Sequence, residues 1–176
     1  MSEPATPAPS VIFRDRPYPV HGRRLAPGDA VPAIAMVAPD LSEVNLRDLL
    51  GKVLLISVVP SLDTGVCDAQ TRRFNAEAGK LGAAVRVVTL SVDLPFAQKR
   101  WQTAADAHAI TLLSDHRGLA FGEAAGLAID TLRLLQRAIL VADEKGIIRY
   151  AEYVPNIGHH PDYDAAIGAA RALAGD

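Results

Sequence analysis

The sequence predicts an α/β fold, because strand-like and helix-like segments alternate along its middle. Two runs of aliphatic and β-branched residues, 53–59 and 85–92, show no alternation of apolar and polar positions, which is typical of strands buried on both faces. A helix-start pattern follows each run, with cap-forming side chains after the first and Pro95 after the second. Two further runs, 138–141 and 147–150, flank a turn that contains glycine and predict a β-hairpin. This alternation predicts a sheet covered by helices.

The first part of the chain predicts a tail, a hairpin and a short strand. Residues 1–10 are rich in Pro and Ala and predict a flexible tail; they lack the positive charge and apolar stretch of a signal peptide. The β-prone runs 11–13 and 18–21 predict an N-terminal hairpin, with the intervening Arg-Asp-Arg-Pro as its turn. A strand at 34–37 and a helical turn at 45–50 precede the first buried strand.

Two longer helices are predicted after the buried strands. Pro60 ends the first strand, and Ser61, Asp63 and Thr64 supply cap-type oxygens before a helix over residues 65–78, which Gly79 would close. The second helix starts at Pro95 and is predicted to continue to His108. The remaining predicted elements are a strand at 110–113, a short helix at 119–125 and a C-terminal helix at 161–174 with one apolar face.

Length, charge and cysteine content exclude several classes of protein. The chain has 176 residues, which fits one domain over residues 11–176. Its net charge of −2 provides no basic field for nucleic acid, and no apolar run is long enough to span a membrane. It contains one cysteine, so no intrachain disulfide can form, and a cytoplasmic location is expected. No nucleotide-binding glycine motif is present.

The one cysteine, Cys67, lies where a buried strand gives way to a helix. A thiol in the first turn of a helix faces unpaired backbone N–H groups and the positive end of the helix dipole, which favour the thiolate. These features make Cys67 a candidate nucleophile. Free cysteine is also among the residues most often buried as small apolar groups, so an inert core thiol and an intermolecular cross-link stay open from position alone.

A pattern around this cysteine resembles the active-site motif of the peroxiredoxins. The pattern is Pro60-x-x-x-Thr64-x-x-Cys67, and the longer string SVVPSLDTGVCDAQTRRFN is similar to the thiol peroxidase branch of that superfamily. The resemblance extends in order through VIFRDRPYPVHGRRLAPGDAVP, LSEVNLRDLLGK, SVDLPFAQKRW, RAILVADEKGIIRY and PDYDAAI, and so spans nearly the whole chain after residue 10.

The resemblance implies a thioredoxin-like fold with a central mixed sheet, and it makes Cys67 the residue that peroxides oxidise to sulfenic acid. Arg137 matches the family's active-site arginine, whose planar cation suits a thiolate and a developing alkoxide. Thr64 would bond the peroxide or the thiolate, although its hydroxyl could equally be a plain helix cap. Pro60 would shield the sulfur, or merely end the strand. Backbone N–H groups of Val66 and Cys67 would face the reacting oxygens.

The chain departs from the family at one position that matters for turnover. Most thiol peroxidases carry a resolving cysteine just after the segment that reads LPFAQKRW here, and this chain has Gln102 instead. The resemblance therefore implies a one-cysteine peroxidase that reduces hydrogen peroxide and organic hydroperoxides. An external thiol would reduce the sulfenic acid and regenerate Cys67. The candidates are a thioredoxin-like protein, a small thiol such as glutathione, or Cys67 of a second subunit. A redox sensor or binding module on the same fold, with little turnover, is the alternative.

The resemblance also bears on cofactors and partners. The family needs no metal, haem or flavin, and the sequence shows no site for one. Adjacent His159 and His160 are interpreted as solvated loop residues, since neighbouring side chains point apart and no cluster with ligand spacing accompanies them. Arg72 is interpreted as positioning the helix after Cys67. Leu94, Phe96 and Trp101 are predicted core or subunit-interface residues, and the resemblance alone implies a homodimer.

Overall fold

A mixed β-sheet forms the centre of the structure, a computed structural model that describes residues 9–175. The strands are β1 (Ser10–Phe13), β2 (Arg16–Pro19), β3 (Ala35–Val37), β4 (Glu43–Asn45), β5 (Val53–Val58), β6 (Val85–Ser91), β7 (Thr111–Ser114), β8 (Ala128–Ile129), β9 (Leu134–Leu135), β10 (Ala138–Ala142) and β11 (Ile148–Tyr153). The helices are α1 (Gly65–Leu81), α2 (Pro95–Ala105), α3 (Ala120–Ala124) and α4 (Tyr163–Ala174), with a 3₁₀ turn at Leu46–Leu49.

The central sheet combines parallel and antiparallel strands in the order β11-β10-β5-β6-β7-β3-β4. Strands β5, β6 and β7 run parallel, and β10 pairs antiparallel with β5. The antiparallel register sets Ala138, the first residue of β10, opposite Val58, the last residue of β5. Parallel pairing aligns Val58 with Leu90 of β6. The C-terminal ends of β5 and β6 and the beginning of β10 therefore meet at one edge of the sheet.

Strand β5 is buried on both faces, as its lack of alternation predicts. Leu54 and Ile56 point into an apolar cluster on one side of the sheet, and Val53 and Leu55 point into another. Helices α1, α2 and α4 cover the second side, and their buried residues belong to that second cluster. The predicted architecture, a central mixed sheet flanked by helices with an N-terminal hairpin, is confirmed.

The N-terminal hairpin lies against the loop that follows β11. Strand β1 pairs antiparallel with β2, and the turn residues Arg14 and Asp15 both have positive φ, at 48° and 60°. The turn is thus two residues long, and β2 begins earlier than predicted. Ile12 donates its N–H to Pro155 O at 2.8 Å, and Ile157 donates to Ile12 O at 3.0 Å. Of the predicted tail, residues 1–8 lie outside the described residues, and Ser10 belongs to β1.

Two predicted helix ends were wrong. Helix α1 continues through Gly79 to Leu81 and ends at Gly82, whose φ is 71°. Gly79 is exposed and helical, so the flanking residues carry the helix past it, and the second glycine supplies a positive φ with extended ψ, which side-chain-bearing residues rarely adopt. Helix α2 ends at Ala105, earlier than predicted, because Asp106 adopts a left-handed conformation and donates its N–H to Gln102 O and Thr103 O.

Three short strands were not predicted from the sequence: β4, β8 and β9. The last two are two-residue strands that pair with each other outside the central sheet, too short for a hydrophobic period to show. The short helix α3 and the C-terminal α4 lie within two residues of their predicted bounds. Among residues 9–175, no helix has the length and apolar character required to cross a membrane.

Candidate active site

The candidate site lies at the sheet edge where β5 ends and α1 begins. Cys67 is the third residue of α1, and Pro60 follows β5. Arg137 immediately precedes β10, and the register between Ala138 and Val58 places it beside this junction. The fold therefore brings together two predicted site residues that lie 70 positions apart in the chain.

The sulfur of Cys67 is fully buried within the apolar cluster that α1 packs on the sheet. It accepts a hydrogen bond from Arg137 Nη2 at 3.4 Å. The first intrahelical bond of α1 runs from Asp68 N to Thr64 O at 2.9 Å. Helix geometry therefore leaves the N–H groups of Gly65, Val66 and Cys67 without intrahelical acceptors beside the thiol. That they face reacting oxygens stays a prediction.

Arg137 is a buried cation held on three sides. Its side chain is 1% exposed. Nε and Nη2 donate to Ile157 O at 3.2 and 2.6 Å, and Nη1 donates to Gln70 Oε1 at 2.7 Å. Together with the sulfur, these are the hydrogen-bond partners that the structure gives it, and none is a carboxylate. The buried guanidinium therefore has no carboxylate among its bonded partners to compensate its charge.

Gln70 connects the arginine to the central sheet. Its Nε2 donates to Ser57 Oγ at 2.8 Å, while its carbonyl oxygen accepts from Arg137. Gln70 and Ser57 are fully buried, on α1 and β5 respectively. The hydrogen bonds that link Ser57, Gln70 and Arg137 in series thus orient the guanidinium toward Cys67. Sequence reasoning missed Gln70, Ser57 and the Ile157 carbonyl; the position of Gln70, one turn after Cys67, is the one signal that could have indicated it.

A pocket of about 170 Å³ is lined by Arg137 and by residues that neighbour Cys67 in the sequence, but not by Cys67 itself. Its wall is mostly apolar and comes from the hairpin, the segment after β5, the start of α1 and the loop after β11. The lining residues are Phe13, Pro60, Ser61, Thr64, Gly65, Val66, Leu134, Arg137, Ile157 and Gly158. Three of the four predicted site residues, Pro60, Thr64 and Arg137, therefore face one cavity, and Arg137 connects that cavity to Cys67.

Thr64 occupies the N-cap position of α1, but its side chain makes no capping hydrogen bond. The hydroxyl donates instead to Ser61 O at 3.0 Å. Because that bond uses its single hydrogen, the oxygen keeps its lone pairs as acceptors at the pocket wall. The hydroxyl is therefore not a side-chain cap of α1.

Gln102 stands at the position of the missing resolving cysteine and has a structural role. It is half-buried near the end of α2. Its Nε2 donates to Ala107 O at 3.0 Å and to Ile110 O at 3.4 Å, so the side chain ties the end of the helix to the following loop.

Arg72 pairs on the surface of α1 with Asp68, its Nε lying 3.0 Å from both carboxylate oxygens. Asp68 also accepts from Trp101 Nε1 at 2.9 Å, and the Arg72 guanidinium stacks over the Trp101 ring. These contacts hold α1 against α2, in agreement with the interpretation of Arg72 as a helix-positioning residue.

The two adjacent histidines are exposed in the loop before α4. His160 Nδ1 lies 2.6 Å from Tyr163 Oη, and burial raises the pKa of the Tyr163 phenol. The phenol therefore stays protonated at neutral pH and can donate to the imidazole. Within residues 9–175, no group of three or more His, Cys, Asp or Glu side chains is arranged to hold a metal ion.

Comparisons with known proteins agree with this geometry. Residues 26–167 match the family model described as Redoxin. A thiol peroxidase of Halalkalibacterium halodurans is 53% identical, over 93% of this chain and 98% of its own length. A thiol peroxidase of Bacillus subtilis is 50% identical, over 93% of this chain and 97% of its own length. The solved structure of a peroxiredoxin-like protein from Aquifex aeolicus superposes with a TM-score of 0.86 at 33% identity, covering 94% of this chain and 98% of that one.

Proposed function

This chain belongs to the redoxin family, within its thiol peroxidase branch, and reduces peroxides with electrons from thiols; from this premise we propose that Cys67 is the residue that the peroxide oxidises. Arg137, Thr64 and Pro60 are proposed to form the rest of the catalytic site. The observation that carries this assignment is the buried guanidinium of Arg137, 3.4 Å from the sulfur and otherwise bonded to neutral oxygens. A site of this kind stabilises negative charge on sulfur and on oxygen.

The first half-reaction follows from these positions. The Cys67 thiolate attacks one oxygen of the peroxide, a sulfur–oxygen bond forms and the oxygen–oxygen bond breaks. Sulfur loses two electrons and becomes sulfenic acid, while the leaving alkoxide or hydroxide takes up a proton and departs as alcohol or water. Arg137 meets the developing charge, and the Thr64 oxygen accepts the peroxide hydrogen.

The second half-reaction requires a thiol from outside the chain, because Cys67 is the one cysteine present. The external thiol attacks the sulfenic sulfur and forms a mixed disulfide with loss of water, and a second thiol then releases Cys67 as a thiol. We propose a thioredoxin-like protein or a low-molecular-weight thiol as this donor. The carbonyl contacts of Gln102 support the proposal, since they give that position a role in holding the end of α2.

Both hydrogen peroxide and organic hydroperoxides are proposed as substrates. The pocket that Arg137 lines beside Cys67 has an apolar wall with Phe13, Leu134 and Ile157, so an organic group gains burial that hydrogen peroxide lacks. The volume of about 170 Å³ also admits the smaller peroxide. We expect the organic peroxide to react faster at equal concentration.

The first test is to mix reduced protein with one equivalent of hydrogen peroxide or cumene hydroperoxide and follow Cys67 by rapid quench, a sulfenate trap and intact mass. Cys67 should oxidise at least about 10³ times faster than free cysteine at the same pH, since positioning and charge stabilisation each contribute factors of this size. Continued peroxide consumption with thioredoxin or a small thiol should follow. Oxidation at the rate of free cysteine contradicts the proposed site, and fast oxidation without recovery favours the sensor alternative.

The variant Phe13→Ala separates the two substrates in the same experiment. Removing the ring from the pocket wall should slow reaction with cumene hydroperoxide about 10- to 150-fold, because the lost apolar contact contributes roughly 1.5–3 kcal/mol. Reaction with hydrogen peroxide should change less than about twofold. Equal slowing with both peroxides would show that the hairpin supports the site without selecting substrate.

Assembly and location are also proposals. We propose a homodimer, since Leu94 and Phe96 at the start of α2 are 55% and 66% exposed and form an apolar surface suited to a second copy. Sedimentation analysis of Phe96→Ser, which should shift the chain toward monomer, tests this. A cytoplasmic location and one domain over residues 11–176 complete the proposal; a lone catalytic thiol suits a reducing compartment.

A further inference from the structure

Asp93 lies between β6 and α2 and faces the segment that leads into α1. Its Oδ1 accepts from Ser61 Oγ at 2.7 Å, and its Oδ2 accepts from Leu62 N at 2.8 Å. Oδ2 also accepts from Ser91 Oγ at 2.8 Å, and the Asp93 carbonyl accepts from Ser114 Oγ. The carboxylate is thus fixed to the end of β6 and reaches across to residues 61 and 62, while the Asp93 backbone carbonyl is bonded to the end of β7.

The segment that Asp93 holds carries two of the proposed site residues. Residues 60–64 connect β5 to α1, beginning with Pro60 and ending with Thr64. The turn is closed by local bonds on Ser61, whose carbonyl accepts from Thr64 N at 3.1 Å and from Thr64 Oγ1 at 3.0 Å. Ser61 therefore sets the orientation of the Thr64 hydroxyl, and Asp93 in turn holds Ser61.

Few other hydrogen bonds fix this segment to the body of the protein, although Leu62 also packs in the second apolar cluster. Among the described residues, its hydrogen bonds to groups outside itself and α1 end on Asp93, apart from a surface pair between Asp63 and Arg100 at 3.5 Å. That pair is exposed on both sides and contributes little. The charge-assisted bonds to the Asp93 carboxylate are the stronger attachment.

We propose that Asp93 is a positioning residue, which holds residues 60–64 over the buried sulfur in the arrangement that peroxide attack requires. The inference rests on the proposed function and adds a further residue to the same site. Asp93 acts on the site only indirectly, through its hydrogen bonds with Ser61 and Leu62. Loss of its carboxylate should therefore displace Pro60 and Thr64 without removing any group that contacts the peroxide.

This role predicts opposite effects on two reactions of the same thiol. Peroxide oxidation needs Thr64 in place, so it should slow when the segment loosens. Alkylation by iodoacetamide needs the thiolate and access to the sulfur but does not need Thr64, and the sulfur is fully buried in the folded chain, so alkylation should become faster. A general loss of stability or of thiolate is not expected to slow peroxide oxidation and accelerate alkylation at the same time.

The experiment compares Asp93→Ala, Asp93→Asn and Asp143→Ala in the full chain. Asp143 is the matched control, a carboxylate that accepts Lys145 N and Ile147 N at 3.0 Å in the distant β10–β11 turn. In Asp93→Ala, oxidation by cumene hydroperoxide should fall about 10- to 100-fold. Alkylation should rise at least about tenfold, the factor expected from losing even one of the two charge-assisted hydrogen bonds to the segment. Asp93→Asn, which keeps an acceptor for Leu62 N, should recover most of both rates, and Asp143→Ala should match the wild type.

The outcomes separate this proposal from the proposed function. Unchanged rates in Asp93→Ala, equal falls in both reactions, or the same split in Asp143→Ala would overturn the positioning role. Wild-type oxidation no faster than that of free cysteine would instead contradict the proposed function, and the alkylation rates would still decide whether Asp93 holds the segment. Circular dichroism and the melting temperature of each variant establish that the compared chains are folded.

Discussion

Replacing Cys67 with serine is expected to abolish peroxide reduction while preserving the fold. A serine hydroxyl at this position remains protonated at neutral pH, and oxygen does not form the sulfenic acid that the reaction needs. The side chains are close in size, and the new hydroxyl can accept from Arg137 Nη2 as the sulfur does now. Peroxide consumption with any thiol donor should fall to the rate of the donor alone, and unfolding free energy should change by about 1 kcal/mol.

Peroxide consumption assays with intact-mass analysis check this expectation. Wild-type protein should gain one oxygen or one trapped adduct per chain, whereas Cys67→Ser should gain none. Val66→Ala is a useful control, because it alters a neighbouring pocket residue without removing the sulfur and should retain turnover. Continued peroxide consumption by Cys67→Ser would place the reactive group elsewhere in the chain.

The sequence predicted those parts of the fold that local patterns determine. Strand β5 reads as buried on both faces because each of its residues is apolar or small, and the structure places them in the two clusters. Helix ends were less predictable, since Gly79 and Gly82 are equivalent as residues and only the packing of α1 decides which one ends it. Strands β8 and β9 depend on a contact between short segments that has no local signal.

In the candidate site, too, the residues that belong to local sequence patterns could be predicted, and those brought in by long-range packing could not. The motif from Pro60 to Cys67 is a local pattern, and the position of Arg137 came from a family resemblance. The contacts around Arg137 are long-range ones. Gln70 and the Ile157 carbonyl bond to its guanidinium only because β10 pairs with β5 and the loop after β11 returns to the hairpin. Asp93 likewise meets Ser61 through the parallel alignment of β5 and β6. Apart from the position of Gln70 one turn after Cys67, no spacing in the sequence indicates these contacts.

Replacing Arg137 with methionine should cause a severe loss of rate in a folded protein. The guanidinium is the charged donor that reaches the Cys67 sulfur, at 3.4 Å, and it also lines the pocket. Removing one such donor from a site of developing negative charge costs about 10²–10³-fold in rate. The second-order rate of Cys67 oxidation should fall by this factor with both hydrogen peroxide and cumene hydroperoxide.

Two opposing effects should act on the free energy of unfolding of Arg137→Met. Methionine leaves Gln70 Oε1 and Ile157 O without their donor, at about 1–3 kcal/mol for each buried group. It also removes a buried cation whose partners are neutral, which offsets part of that loss. The variant should therefore remain folded with a moderately lower melting temperature, and Arg137→Lys should recover part of the rate, because lysine keeps the charge and loses the planar fork.

Arg72→Met is the matched control for this experiment. It removes the same side chain from the exposed side of α1, where Arg72 pairs with Asp68 and stacks over Trp101. Because these contacts hold α1 against α2 without reaching the pocket, oxidation should stay within about twofold of the wild type, as expected for a surface ion pair. An unchanged rate in Arg137→Met would make that arginine purely structural. Equal losses in both variants would mean that the placement of α1, rather than charge beside the sulfur, determines how fast Cys67 reacts.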